Sequence, residues 1–172
     1  MKTLLFDFNN LALRCLFAGH CIEKETKTVD YQIWSFTVFK SIYASLYTFK
    51  DAKEVVLAVD DKSWRKIVYP VYKANRAKDE SEWPVNWVEF YAYMEEFLEK
   101  IKNNLPWKVV KVKSAEADDI IGVLARKVKK EFIIVSADKD YKQLITSNVK
   151  MYDPLKKEYV KCSNTERFIL EA

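Results

Sequence analysis

The apolar residues of this chain fall into short unbroken runs that end in an acid, alternating with stretches of three-to-four-residue spacing. Thr3-Leu4-Leu5-Phe6-Asp7-Phe8 is the first such run, and after Asn9-Asn10 the segment Leu11-Ala12-Leu13-Arg14-Cys15-Leu16 reads as a helix. Val29 to Lys50 then predicts a long helix, with Val29, Ile33, Phe36, Ile42, Leu46 and Phe49 on its apolar side and Asp30 near its positive dipole end. Glu54-Val55-Val56-Leu57-Ala58-Val59-Asp60 repeats the opening pattern as a β-branched run that is apolar on both faces, as a central parallel strand would be.

Between Asp61 and Trp83 the chain is rich in Lys, Arg, Tyr and Trp without either period, which marks a loop rather than an element. Periodicity resumes at Val85 or Asn86 and predicts a helix to about Asn104, on a stripe of Val88, Tyr91, Met94, Phe97, Leu98 and Ile101 ended by Leu105-Pro106. Trp107 to Val112 reads as a strand. Ser114 to Asp119 opens a further helix whose apolar side is Ile120, Ile121, Val123, Leu124 and Val128, with Lys127, Lys129 and Lys130 at its cationic end. Glu131 to Asp138 is a third apolar strand ending in an acid, followed by a short helix over Lys139 to Ile145. Val149 to Pro154 and Glu158 to Lys161 read as strands, and a last helix is expected from about Asn164.

Strands alternating with helices imply an α/β domain: a central, mostly parallel sheet with helices on both faces and right-handed crossovers. In such sheets the ligand crevice lies at the carboxyl ends of the strands, and Asp7, Asp60 and Asp138 occupy those ends. Glu116, Asp118 and Asp119 crowd the start of one helix, and Asp140 follows Asp138 by two residues.

Composition narrows the chemistry. With 172 residues and 49% apolar content, residues 1–172 are expected to form one domain with a single sizeable core. A net charge of +4 permits a polyanionic partner without requiring one. The only glycines, Gly19 and Gly122, exclude a P-loop and a dinucleotide fingerprint. Three cysteines without CxxC spacing and the single His20 leave no Cys/His zinc set, and His20 receives no role. The thiols fit a reducing cytosol. The opening apolar run is too short for a signal peptide or membrane span, so a cytoplasmic protein without membrane association is expected.

Several converging carboxylates repel one another unless a cation joins them, and hard divalent ions such as Mg²⁺ or Mn²⁺ take oxygen ligands. Two such ions, about 3.5–4 Å apart, activate water and stabilise a leaving oxygen in phosphodiester hydrolysis. The ordinary alternative for each strand-end Asp, taken singly, is a helix N-cap. Repetition at three strand ends favours the metal. Asp118 and Asp119 are adjacent and cannot both face one ion, so one of them is expected to cap or to act from behind the ligands.

The segments Phe6-Asp7-Phe8-Asn9, Val59-Asp60-Asp61, Tyr72-Lys73-Ala74-Asn75-Arg76, Glu116-Ala117-Asp118-Asp119-Ile120-Ile121 and Ser136-Ala137-Asp138-Lys139-Asp140-Tyr141-Lys142-Gln143-Leu144 together resemble the 5′-nuclease, or flap endonuclease, family, nearest its phage ribonuclease H branch. The resemblance covers nearly the whole chain in the family's order. It implies a three-layer PIN-like domain that removes 5′-terminal nucleotides or flaps from DNA and RNA–DNA duplexes in replication, using Mg²⁺ or Mn²⁺ as two ions. By position Asp7, Asp60, Glu116 and Asp118 would hold the first ion with Asp119 close by, and Asp138 and Asp140 would serve the second.

Residues 61–84 would correspond to the family's arch, which gathers single-stranded 5′ ends. Lys73 and Arg76 are then expected at the scissile phosphate, Arg65, Lys66 and Lys78 along the backbone, and Tyr72 under a base, a stack of roughly 1–3 kcal/mol. With the resemblance Trp64, Tyr69 and Trp83 are expected to take part in binding, whereas without it they would read as loop aromatics tucked onto the core. Family members continue into a Gly-Asp-Lys-x-Asp-Asn segment that opens a helical duplex-binding unit. This chain ends at Ala172, so a separate polypeptide is expected to supply that unit and complete the second ion's ligands. A non-catalytic nucleic-acid-binding scaffold and a stand-alone PIN-type endoribonuclease are the competing expectations.

Overall fold

The computed structural model describes residues 2–18, 20–23, 25–26, 28–73 and 83–162. In chain order its elements are β1 (Lys2–Asp7), α1 (Phe8–Ala18), β2 (Ile22–Glu23), β3 (Thr28–Val29), α2 (Tyr31–Thr48), β4 (Ala52–Val59), α3 (Arg65–Val68), α4 (Trp87–Asn104), β5 (Lys108–Lys111), α5 (Ala117–Lys127), β6 (Glu131–Val135), a 3₁₀ helix (Lys139–Leu144), β7 (Val149–Asp153) and β8 (Glu158–Val160).

The main sheet has the strand order β5-β4-β1-β6-β7-β8. Every pairing in it is parallel except β7 with β8. The three apolar runs sit side by side at its centre, because only there are both faces of a strand covered. Their period of two divides the core. Leu4, Phe6, Val55, Leu57, Val59, Ile133 and Val135 pack with α1, α2 and α4, whereas Leu5, Val56, Ala58, Phe132 and Ile134 pack with α5 and the 3₁₀ helix. This is the expected three-layer α/β arrangement, and it brings the carboxyl ends of β1, β4 and β6 together.

Local detail departs from the expected pattern in several places. Asp30 caps α2, accepting from the N–H groups of Gln32 and Ile33 at 3.0 Å each. The face α2 buries is Trp34, Val38, Ile42 and Ser45, while Ile33 and Phe36 of the expected stripe are exposed. Apolar residues surround this helix, so spacing alone offers more than one face. Trp34 decides it: the ring packs edge-on against Phe90 and Phe97, and its Nε1 donates to the Ala12 carbonyl at 3.0 Å. Val88 of α4 and Val123 of α5 are likewise exposed, and α5 starts at Ala117 rather than at Ala115. β6 ends at Val135, so residues 136–138 lie past the strand. The short antiparallel pair β2 and β3 has no counterpart in the pattern, since two residues per strand show no period. The expected helix from about Asn164, together with Arg76 and Lys78, lies outside the described residues. Among the described residues no helix is long and apolar enough to cross a membrane.

Trp34 joins α1, α2 and α4 and is completely buried. Trp34→Ala is expected to cost about 3–5 kcal/mol through the cavity it leaves, read as a lower urea midpoint with an unchanged slope.

Candidate metal centre

Each strand-end aspartate both accepts from an N–H at a helix start and lines one shared cleft. Asp7 closes β1, and its Oδ1 accepts from the Asn10 N–H at 3.0 Å across the first turn of α1. Its Oδ2 accepts from the Tyr141 hydroxyl at 2.9 Å. Asp60 follows β4, and its Oδ1 accepts from the Ala117 N–H at 2.6 Å, at the start of α5. The Asp60 N–H in turn donates to Asn9 Oδ1 at 2.9 Å, tying the ends of β1 and β4. Asp138 accepts from the Asp140 N–H at 3.0 Å and caps the 3₁₀ helix. These bonds answer the exposed N–H groups of the helix starts. Capping and site formation are therefore compatible: Asp7, Asp60, Glu116, Asp118, Asp138 and Asp140 all line a cleft of about 380 Å³.

The α5 end of the cleft is organised by cations. Glu116 is the N-cap of α5 and forms a capping box with Asp119. Arg65, from α3, forks onto Asp119 at 2.7 and 2.9 Å and reaches Glu116 at 2.8 Å. Lys73 Nζ lies 2.6 Å from Glu116 Oε1, and the Tyr72 hydroxyl donates to Oε2 at 3.0 Å. Of the expected nucleic-acid contacts, Arg65, Tyr72 and Lys73 thus turn into the acid cluster, while Lys66 is exposed on α3. Asp118 faces the cleft, and Asp119 lines the neighbouring groove over α5 instead.

Electrostatics divides the acids into two groups. The Arg65 fork holds Asp119 below the usual carboxylate range. Burial pushes Glu116 up, but its bonds from Lys73 and Tyr72 outweigh this and the net shift is downward. Asp7 is pushed up to about 6 by burial, with Asp60 and Asp138 adding repulsion against the bonds from Asn10 and Tyr141. Asp118 is raised by burial and by Asp119 and Glu116 beside it. Tyr141 is driven upward by burial and by Asp7, so it stays a neutral donor. The second group, Asp7 and Asp118, marks negative charge that the neighbouring side chains leave under-compensated. All the donors are oxygens, and Glu116, Asp118 and Asp119 each offer one within 4.8 Å of the others. A hard divalent cation fits this donor set.

The wall facing the acids is aromatic: Phe17, Trp83, Trp87 and Tyr91, with Leu13, line the same cleft. Trp83 packs on Phe17 at 4.3 Å between ring centroids. Of this wall the sequence pattern singles out Trp83 alone; Phe17 and Tyr141 are not singled out, and Trp87 and Tyr91 read there as ordinary helix residues. The S-x-D-x-D-Y spacing was the one available signal for Tyr141.

The fold and cleft define a PIN-like α/β domain with an acid-lined cleft whose oxygen donors suit a divalent metal. Residues 2–170 match the family described as 5′-3′ exonuclease, N-terminal resolvase-like domain, and the chain belongs to that family. It is 29% identical over 171 residues to ribonuclease H of Enterobacteria phage T4, covering 91% of this chain and 53% of that protein. To flap endonuclease Xni of Shewanella sp. strain MR-4 it is 32% identical over 111 residues, covering 63% of this chain and 39% of that protein. Among solved structures, T5 5′-exonuclease with divalent zinc bound superposes with a TM-score of 0.69 at 16% identity, over 94% of this chain and 58% of that one. The bacteriophage T5 flap endonuclease in a pseudo-enzyme-product complex with DNA and metal ions gives 0.68 at 18% identity, with the same coverage. These structural likenesses establish the fold. The chain spans about half the length of the phage T4 relative.

Two measurements probe the centre. The folded Asp7 value of about 6 lies above the ordinary 3.8. The stabilisation that belongs to its protonated form is therefore complete below about pH 4 and is lost as pH rises through 6. Divalent binding needs the ionised form, so the rise in melting temperature on adding Mg²⁺ or Mn²⁺ is expected to be small at pH 5 and large at pH 8. Equal shifts at both would contradict this assignment. Arg65→Ala should lower metal-free stability by about 2 kcal/mol, because it strips a partly buried pair of acids of their counter-charge. Mg²⁺ should then restore more stability to that variant than it adds to wild type.

Proposed function

We propose that this chain is the metal-binding nuclease domain of a 5′-nuclease, hydrolysing phosphodiesters at single-stranded 5′ ends or flaps of DNA or RNA–DNA duplexes. The carrying observation is the convergence of the β1, β4 and β6 ends and the α5 start in one cleft of oxygen donors, with Asp7 held at about 6. In this reading Asp7, Asp60, Glu116 and Asp118 hold a first Mg²⁺, and Asp138 with Asp140 begins the site of a second. Bound ions supply neutralisation of phosphoryl charge and activation of water.

The chain's own residues bind and orient the substrate. Lys73, now on Glu116 at 2.6 Å, stands at the cleft where the scissile phosphate would enter and is positioned to exchange a carboxylate for it. Lys66, exposed on α3, would add a phosphate contact, and Arg76 and Lys78 are assigned the same part by sequence position alone. The aromatic wall of Phe17, Trp83, Trp87 and Tyr91 offers flat faces to an unpaired base and keeps bulk water from one side of the cleft. Asp119, saturated by Arg65 and by the Glu116 N–H, positions Glu116 without holding an ion itself. Asp140 is exposed at the rim, and the proposal includes a helical unit from a separate polypeptide that meets this edge and completes the second ion's ligands.

The engaged state of Glu116 supports one rival, a module that binds flaps without cleaving them. Cleavage of a 5′-flap duplex and of an RNA–DNA hybrid separates the two, measured with Mg²⁺ and with EDTA, with and without the product of the neighbouring reading frame. Asp7→Asn is expected to reduce cleavage at least about a thousandfold while raising the metal-free melting temperature at pH 8. Flap binding that ignores EDTA, with no cleavage in any combination, would reject the nuclease assignment.

A further inference from the structure

Helix α5 carries Gly122 at its centre, and among the described residues nothing asks for a glycine there. A Cβ built on it meets no atom within 4 Å, and its φ is not positive. Glycine is the poorest helix former after proline, so its presence in a helix interior calls for a cause.

Gly122 lies one turn beyond Asp118 and one turn before Arg126, with Asp119, Val123 and Lys127 on the adjoining row. The two rows and the 3₁₀ helix enclose a groove of about 420 Å³ that also includes Gln143. A further hollow of about 460 Å³ continues past Lys129 and Asn148, and Arg126, Lys127 and Gln143 line both. Arg126 and Lys127 are exposed, and no described carboxylate lies within ion-pair distance of either, whereas Lys130 is held by Glu54 at 2.8 Å. Cations in the last turn suit the helix dipole. The dipole does not explain the bare backbone between those cations and the acids.

We propose that this groove is a track for the phosphate backbone of the nucleic-acid strand, on which Gly122 lets the strand lie against α5 and Arg126 and Lys127 neutralise phosphates beyond the acid cluster. The inference rests on the nuclease assignment above. From residue 118 to residue 126 the helix rises about 12 Å, about three to four base steps at 3.4 Å each. Acids that hold cations at one end and bases that hold phosphates at the other suit a polyanion that starts in the cleft and leaves along the helix.

The test is fluorescence anisotropy of a fluorescein-labelled 5′-flap DNA in EDTA across a KCl titration, with circular-dichroism melting of every variant. The double variant Arg126→Gln/Lys127→Gln is expected to bind about tenfold more weakly at low salt and to lower the log–log salt slope by about 1.8. Gly122→Leu is expected to weaken binding about fivefold while melting no lower than wild type, since leucine is the better helix former. Gly122→Ala adds a methyl that meets nothing in the fold, and it keeps the test open should leucine disturb folding. Wild-type affinity and slope in the charge and glycine variants alike would overturn the track. No flap binding by the wild-type chain, either alone or with the polypeptide that supplies the helical unit, would bring down the nuclease assignment, and the track with it.

Discussion

The arrangement depends on how a parallel sheet disposes of carboxylates at its carboxyl end. Three aspartates brought there would repel one another across a partly buried cleft. Each is held by a backbone N–H at a helix start: Asn10 for Asp7, Ala117 for Asp60 and Asp140 for Asp138. The sheet and helices thus fix the acids before any ion arrives. Because the caps belong to three different elements, the geometry of the site is as rigid as the packing of the two cores beneath it.

Charge compensation is unequal across the cleft. At the α5 end, Arg65 and Lys73 give Glu116 and Asp119 internal counter-ions. At the β1 end, Asp7 has among the described residues only a neutral phenol and an amide as hydrogen-bond donors, and burial raises it. The chain therefore leaves its demand for positive charge concentrated between Asp7 and Asp118. That imbalance supports the view that an external cation belongs there. It also explains why Asp119, chemically equivalent to Asp118 in the sequence, has a different part: its oxygens are bound within the fold.

Much of this was legible in advance, since a run of apolar residues ended by Asp is a strong local signal and three of them specify a sheet with an acid-lined end. The acid at Asp30 beside the positive end of α2 and the crowding of acids before Ile120 were equally plain, although the helix starts two residues later than the spacing suggests and makes Asp30 its cap. What could not be read were partnerships across the chain. Arg65 meets Glu116 over 51 residues of separation, and Tyr141 meets Asp7 over 134. A charge pattern shows that Arg65 is basic, and leaves open whether it faces a phosphate or a carboxylate. The buried face of α2 departs from its spacing for a related reason: Trp34 wins through contacts with α4 that no spacing within α2 encodes.

Lys73 and Trp83 flank residues 74–82 in the sequence, and both of these roots line the site. One root grips Glu116 through Lys73 and Tyr72, and the other rests on Phe17 through Trp83. Anything that engages Lys73 or Trp83 from outside therefore tugs on the N-cap of α5 at one root and on the end of α1 at the other. Contact at either root and tuning of the acids would then be a single mechanical event, and a substitution of Tyr72 or Lys73 would be felt first by the carboxylate they hold.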